Sequence, residues 1–523
     1  MSKRMFSNSM MTVVETAVVM VMVVIATPIL LEKFGVASYG VFVFLNIFSI
    51  YGALYFFDLG MEASLTTHIA RYDAESDRKK MQQSLVVAVL YYGVLGALVG
   101  LSLLVASDFI VNRFIEVKEE LNRDTVKDAL NIISVNVFLQ FLVLPFVAVL
   151  QGLRRYVVTK SVNSIATVIQ YTLIMIVSHY HGSIDKAFFV IACMSLARLL
   201  FYVTLFRFGF PQFRQMSLRV DFSQLKVLVG YSSVMFVCRI LGLVNNNIHK
   251  LGIWLYLPVT NLATYDVVVK PSNFVRVPDT VVGTSIIPEV ARLSALGRKD
   301  EIAGLYVRLI RYTYLMLVPL AAFLAVFIAD LLQIWVGDQF VPYAYIVHIL
   351  LLAFMLAPVS TEAFLAIVGL KKIGEAIWIS IVGTVLNAVL SLILLQYIGL
   401  AGFPLATVAM YAFMFWPYLK KIEQNVGLKP KAVLSAIGRT LALAIPFAGI
   451  YLLVAHFLRD YTALMLGVAV LVGVGHLTAE YRWLLFDRER VFIKGRIGLS
   501  SGKGLGVLLD SPADQPSTLE RRG

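Results

Sequence analysis

Cysteine is nearly absent from this chain, with two in 523 residues, Cys193 and Cys238. Two thiols build no disulfide framework, and without a C-x-x-C spacing they build no zinc site. Charge is scarce too. Only 15% of the residues are charged, against about 25% in a soluble globular domain. That shortage excludes a soluble enzyme, a disordered chain and a nucleic-acid-binding protein, even though 45 Lys and Arg face 32 Asp and Glu. There is no Walker A loop, so the chain is not by itself an ATPase subunit. The seven His are scattered. No catalytic constellation forms, and no metal or cofactor is expected. What fills the chain is apolar: 59% hydrophobic residues and a mean hydropathy of +0.81. This is the composition of a polytopic membrane protein.

A helix crosses the hydrocarbon core with about 20 mostly apolar residues. Fourteen stretches qualify, roughly 10–31, 38–58, 84–106, 129–151, 161–180, 186–206, 227–250, 262–288, 307–330, 343–369, 376–396, 401–419, 436–457 and 462–480. A transmembrane barrel would instead alternate apolar and polar residues over strands of about ten. The expected class is therefore an all-α integral membrane protein with about 14 transmembrane helices. The first stretch is too long for a signal-peptide core and lacks an A-x-A site, so it reads as a retained helix. Fourteen crossings put both termini on one side. Thirty of the 45 Lys and Arg fall in the termini and loops of that side and seven in the opposite loops. By the positive-inside rule both termini are cytoplasmic, and most of the basic excess is a topology signal. The five Trp, at 254, 335, 378, 416 and 483, fall near span ends, where an aromatic belt sits.

The chain repeats itself at about 220 residues. Gly152-Leu153-Arg154-Arg155 returns as Gly369-Leu370-Lys371-Lys372, an offset of 217, which also carries Asn163 to Ser380, Thr167 to Thr384 and Gln170 to Asn387. Those three sit at i, i+4 and i+7, one face of a helix, so both copies bear a polar stripe on their fifth span. Ile69-Ala70-Arg71 resembles Val290-Ala291-Arg292, and Ala37-Ser38-Tyr39 resembles Ala263-Thr264-Tyr265. Six spans per copy is an even number, so the repeat is parallel, about an axis along the membrane normal. The expected organisation is an N-terminal six-helix bundle (1–206), a cytoplasmic linker (207–226) and a C-terminal six-helix bundle (227–419). Two extra helices (436–480) and a basic cytoplasmic tail (481–523) follow.

A charge at bilayer depth costs at least about 2.5–3.5 kcal/mol and should face protein or water. Arg198, Arg239, Lys270 and Arg276 are the deep cations, with Lys250 near the outer end of its span. On the seventh span Ser232, Arg239, Asn246 and Lys250 fall within about 20–40° of one another around a helix, a continuous polar stripe. The eighth adds Asp266 and Lys270 at i, i+4, and Arg276 and Asp279 at i, i+3. These cations suit a cationic cavity wall; equally, Asp266–Lys270 and Arg276–Asp279 suit neutralised structural pairs. Glu15, on a face with Thr12 and Thr16, is a candidate coupling-ion site or a clamp between helices, and Asp266 is the other candidate. Asp58 precedes Gly60, where a cap is the simpler reading, and Glu362 follows Pro358, where a broken helix is natural.

Several segments resemble the Wzx-type polysaccharide and O-antigen flippases of the multidrug/oligosaccharidyl-lipid/polysaccharide exporter superfamily. They are Leu31-Glu32-Lys33-Phe34-Gly35-Val36-Ala37-Ser38-Tyr39-Gly40, Asp58-Leu59-Gly60-Met61-Glu62-Ala63-Ser64-Leu65, Gly337-Asp338-Gln339-Phe340, and the Gly-Leu-Arg-Arg and Gly-Leu-Lys-Lys pair. The resemblance covers roughly residues 10–480. It implies two six-helix bundles in a V, often with two extra helices. It also implies a flippase, not an enzyme, that carries a polyprenyl-diphosphate-linked oligosaccharide across the cytoplasmic membrane, with polymerase or export proteins as further partners. On that reading Arg239, Lys250, Lys270, Arg276 and Arg198 meet the diphosphate. Asn163, Thr167, Gln170, Ser380, Thr384, Asn387 and Asn246 meet sugar hydroxyls. The alternatives are a cation-coupled multidrug exporter, whose cavity should be acidic, and a lipid II flippase.

Overall fold

The computed structural model describes residues 3–49, 53–58, 60–112, 122–210, 213, 228, 233–278 and 286–484. Among these, every regular element is helical. In chain order the helices are α1 (Lys3–Phe34), α2 (Val36–Leu45), α3 (Met61–Ala74), α4 (Arg78–Ile110), α5 (Arg123–Gly152), α6 (Tyr156–His181) and α7 (Ile184–Thr204). Then come α8 (Ser233–Tyr256), α9 (Val259–Asn273), α10 (Ile286–Ala295), α11 (Lys299–Val336), α12 (Ala344–Gly369) and α13 (Ile373–Ile398). The last three are α14 (Gly402–Val426), α15 (Pro430–Phe457) and α16 (Thr462–Trp483). Most of the linker and the tail beyond 484 lie outside the described residues.

Among the described residues ten segments are long and apolar enough to cross a membrane, and one of them, Ile373–Val426, holds both α13 and α14. The three expected spans outside this set are α2, α8 and α9. At ten residues α2 rises only about 15 Å, and it continues as 3-10 turns at Asn46–Phe48 and Ala53–Asp58. The stripe from Arg239 to Lys250 makes α8 too polar to qualify. α9 carries Pro271 and gives way to a 3-10 turn at Phe274–Arg276.

Two helices lie outside the fourteen expected spans, α3 and α10. Their signal is a 3.6-residue period: Met61, Leu65, Ile69 and Tyr72 are buried on α3, and Ile286, Val290 and Leu293 on α10. They are equivalent members of the repeat, and their ends match bond for bond. The N–H groups of Glu75, Ser76, Asp77, Arg78 and Met81 donate to the carbonyls of Arg71, Asp73, Tyr72, Ser76 and Asp77. Moved by 221 residues, the same set runs from Leu296, Gly297, Arg298, Lys299 and Ile302 to Arg292, Ser294, Leu293, Gly297 and Arg298. Ser76 and Gly297 both take positive φ, 57° and 71°. Asp77 caps α4 by accepting from the Lys80 N–H at 3.0 Å, which holds its carboxyl below the usual carboxylate range.

The Gly-Leu-basic-basic motif is likewise a pair of identical helix ends. Arg155 N–H donates to Leu150 O and Lys372 N–H to Ile367 O, while Arg154 and Lys371 turn left-handed at φ 59° and 61°. This is a Schellman-type stop with an exposed cation at the negative end of the helix dipole. The preceding glycine lets α5 reach α3 and α12 reach α10. A Cβ on Gly152 would lie 2.8 Å from Ile69 Cβ, and one on Gly369 2.8 Å from Val290 Cβ.

The chain divides into two compact units. The first holds Met1–Lys270 with Asn387–Phe403, and the second Pro271–Leu386 with Pro404–Gly523. In the second, Phe327 of α11 packs with Tyr451, Met465 and Ala469 of the extra helices α15 and α16. At one end of that unit Lys421 pairs with Glu375 at 3.2 Å and Lys372 donates to Asn425 at 2.5 Å, tying α13 to α14. Trp378, Trp416 and Trp483 are exposed, as belt residues are. Trp254 departs from the aromatic-belt expectation: it is buried and stacked on Phe44 at 3.6 Å between ring centroids.

Candidate functional site

The polar groups of the first unit gather at three places. The first joins α1, α6 and α7. Lys160 Nζ lies 2.6 Å from Glu15 Oε2, Asn163 donates its amide N–H to Glu15 Oε1 at 3.0 Å, and Arg198 Nη2 donates to Asn163 Oδ1 at 2.8 Å. With all groups ionised, two cations face one carboxylate. Lys160, not singled out as a site residue in the sequence, pairs with Glu15. The signal was its place on the same helix face as Asn163 and Thr167, three and seven residues on. Thr167 and Gln170 follow on α6, half-buried.

The second place joins α8 to the later part of α13. Asn387 donates to Asn245 Oδ1 at 3.2 Å, and Ser391 donates to Asn387 Oδ1 at 3.3 Å. Asn246, the neighbour singled out from the sequence, is exposed instead. The other two stripe residues of α13 belong to the second unit: Thr384 is buried, and Ser380 shares a 2.7 Å hydrogen bond with Tyr418.

The third place joins α2 to α9. Lys270 Nζ lies 2.7 Å from Asp266 Oδ2, so these two form the pair that their spacing allows. Tyr39, which no sequence pattern marks as a site residue, donates its hydroxyl to the same Oδ2 at 3.0 Å. Lys270 also donates to the Tyr39 hydroxyl and lies 5.0 Å from the centre of its ring. Lys250 acts electrostatically on Asp266, and Tyr171 of α6 lies in the field of both partners. Here a lysine, Lys270, faces a carboxylate at ion-pair distance.

The remaining residues lie apart. Arg276 belongs to the second unit, exposed, with its guanidinium 5.3 Å from the Phe354 ring centre. The Arg239 side chain and Asp279 lie outside the described residues. Asp58 accepts from the N–H groups of Gly60 and Glu62 at 3.1 and 3.2 Å and from the Tyr92 hydroxyl, a cap at the start of α3. Glu362 is fully buried and accepts from Thr313 at 3.1 Å.

The Glu15–Lys160 pair has a testable energetic consequence. Both side chains are mostly withdrawn from water, at 15% and 24% exposure. Removing one partner of a buried pair strands the other, whereas replacing both with apolar groups is often neutral. We expect Glu15→Ala to cost about 1–3 kcal/mol, and Glu15→Leu with Lys160→Met to recover most of it. Thermal unfolding of the two variants in detergent measures the difference.

Comparison with known proteins places this geometry. A family model described as polysaccharide biosynthesis protein matches residues 29–345. An uncharacterized membrane protein of Methanocaldococcus jannaschii is 20% identical over 387 residues, covering 72% of this chain and 76% of its own. Among solved structures, the lipid II flippase MurJ in an inward closed conformation superposes with a TM-score of 0.68 at 13% identity, over 90% of this chain and 98% of its own. An inward-facing multidrug resistance MATE family transporter superposes with a TM-score of 0.61 at 12% identity, over 80% and 98%. The chain belongs to the polysaccharide biosynthesis protein family, and its fold is the one seen in the MurJ flippase and MATE transporter structures.

Proposed function

We propose that this protein flips a polyprenyl-diphosphate-linked oligosaccharide across a bacterial cytoplasmic membrane for surface polysaccharide assembly, with both termini in the cytoplasm. One observation carries the reading. Two clusters inside the first unit set a lysine beside a carboxylate, Lys160 with Glu15 and Lys270 with Asp266, and Arg198 joins the first through Asn163, leaving it a positive charge in excess. A diphosphate-sugar head group is anionic and strongly hydrated, so it crosses an apolar layer only where cations and hydrogen-bond donors replace its water. The amides and hydroxyls of Asn163, Thr167, Gln170, Asn387 and Ser391 supply partners for sugar hydroxyls. Arg239, on α8, is assigned to the same path, and the prenyl tail stays in the lipid. Alternating access is assigned to the matching halves 1–206 and 227–419. A proton or cation acting on Glu15 or Asp266 releases a lysine, which gives coupling a point of attack.

Both carboxylates lie beside a lysine, at 2.6 and 2.7 Å. That favours anionic cargo over the cationic drugs an acidic cavity takes. The test is to delete the gene and identify what accumulates. The expected result is a lipid-linked polysaccharide repeat held on the cytoplasmic leaflet, cleared when the gene is restored. Accumulated lipid II would assign the chain to cell-wall synthesis instead, and drug hypersensitivity without any accumulated glycan would make it a drug exporter.

A further inference from the structure

α2 and α9 are equivalent members of the two sequence repeats, as Ala37-Ser38-Tyr39 and Ala263-Thr264-Tyr265 record. They meet inside the first unit. α1 ends at Phe34, the chain turns at Gly35 with φ 76°, and α2 begins at once. α8 ends at Tyr256 and α9 begins at Val259. Gly40 sits directly on the backbone of Val259, so both turns lie on one side of the membrane, the side reached at the end of α1. Phe44 stacks on Trp254, two residues before the end of α8, and Tyr39, one turn into α2, meets Asp266 and Lys270.

The triad is made to come apart. Asp266 Oδ2 serves two donors at once, the Tyr39 hydroxyl at 3.0 Å and Lys270 at 2.7 Å. The side chains of Lys270 and Asp266 keep 14% and 19% of their exposure, so the pair is not sealed from its surroundings. A diphosphate offers Lys270 more charge and more acceptor oxygens than a carboxylate already shared with Tyr39. When Lys270 leaves, Asp266 is not stranded, because Tyr39 and the field of Lys250 remain.

We propose that Tyr39, Asp266 and Lys270 form a latch between α2 and α9, and that the anionic head group opens it by drawing Lys270 away from Asp266. This rests on the diphosphate reading above and adds Tyr39 as a positioning residue. With the latch open, α2 and α9 separate and the path opens to the side reached at the end of α1.

The experiment uses the full chain in lipid nanodiscs, with Cys193→Ser and Cys238→Ser as parent and Val259→Cys as reporter, buried against Gly40. Inorganic pyrophosphate is the probe, and the readout is the rate of maleimide labelling. In the parent, labelling is slow and pyrophosphate speeds it roughly tenfold, a shift in the population of the open form. Asp266→Asn labels fast without pyrophosphate and gains nothing from it. Asp266→Lys combined with Lys270→Asp restores slow labelling, because the reversed pair is still a pair. If Asp266→Asn labels no faster than the parent, there is no latch. If it labels faster but pyrophosphate leaves the parent unchanged, or speeds Lys270→Met equally, the anion is not the trigger and the proposal is overturned. Surface polysaccharide made by the reporter parent in the deletion strain is scored separately, so failure of the transport reading is told apart from failure of the latch.

Discussion

Replacing Gly152 or Gly369 with leucine is expected to leave no folded protein in the membrane. Each glycine lies at the last turn of its helix, α5 or α12, where the helix touches the short helix α3 or α10. A Cβ on Gly152 would meet Thr66 O at 2.7 Å and Ile69 Cβ at 2.8 Å; one on Gly369 would meet Val290 Cβ at 2.8 Å and Ile287 O at 3.0 Å. Backbone oxygens and β-carbons cannot rotate aside, so the whole short helix must shift. Alanine shows which effect wins. It gains up to about 1 kcal/mol of helix propensity over glycine, but overpacking costs about 1–3 kcal/mol, so a net loss of up to about 2 kcal/mol is expected. Gly438→Ala is the control. Nothing lies within 4 Å of its Cβ position, so only the propensity gain remains. Size-exclusion profiles of detergent extracts after graded heating measure all of these.

Arg198→Ala is expected to cut surface polysaccharide roughly ten- to hundredfold while the protein stays at normal membrane levels. Arg198 connects to Glu15 through the Asn163 amide, which bonds both at 2.8 and 3.0 Å. Its loss therefore leaves the Glu15–Lys160 pair in place, and the fold should survive. What is lost is a planar, permanently charged fork suited to phosphate oxygens. A hydrogen bond to a charged group contributes about 1.5–3 kcal/mol, roughly a ten- to hundredfold effect on a step that depends on it. Arg198→Lys should recover part of the export, since the charge returns without the fork. Lys186→Ala, at an exposed position in the first turn of α7, should export normally. Export in the deletion strain, set against immunoblots of the membrane fraction, decides the matter. Normal export by Arg198→Ala would remove this residue from the cargo path.

The parts of the fold that rest on short-range rules are legible in the order of residues. Apolar length marks α4, α5, α6 and α7 to within a few residues. The Gly-Leu-basic-basic repeat proves to be two copies of one helix stop, with the same hydrogen bonds and the same left-handed residue. α3 and α10 escape a hydropathy criterion because a short amphipathic helix is a weak signal beside spans of 22 residues or more. Apolar length overstates α2, because its apolar run continues through residues that form 3-10 turns rather than one helix.

The candidate site divides along the same line. The spacing of Asp266 and Lys270 on one helix offered their pairing as one of two readings, and the polar face of α6 was visible as a period. Nothing in the order of residues paired Glu15 with Lys160, or Tyr39 with Asp266 across 227 positions. A helix can turn any face toward its neighbour and slide by a turn without changing its own hydrogen bonds. The sequence alone therefore determined which segments are helices, where they stop and that they come in two copies. Only the packing of those helices decided which charges meet, because rotation and register between distant segments are settled by side-chain contacts that no local pattern contains.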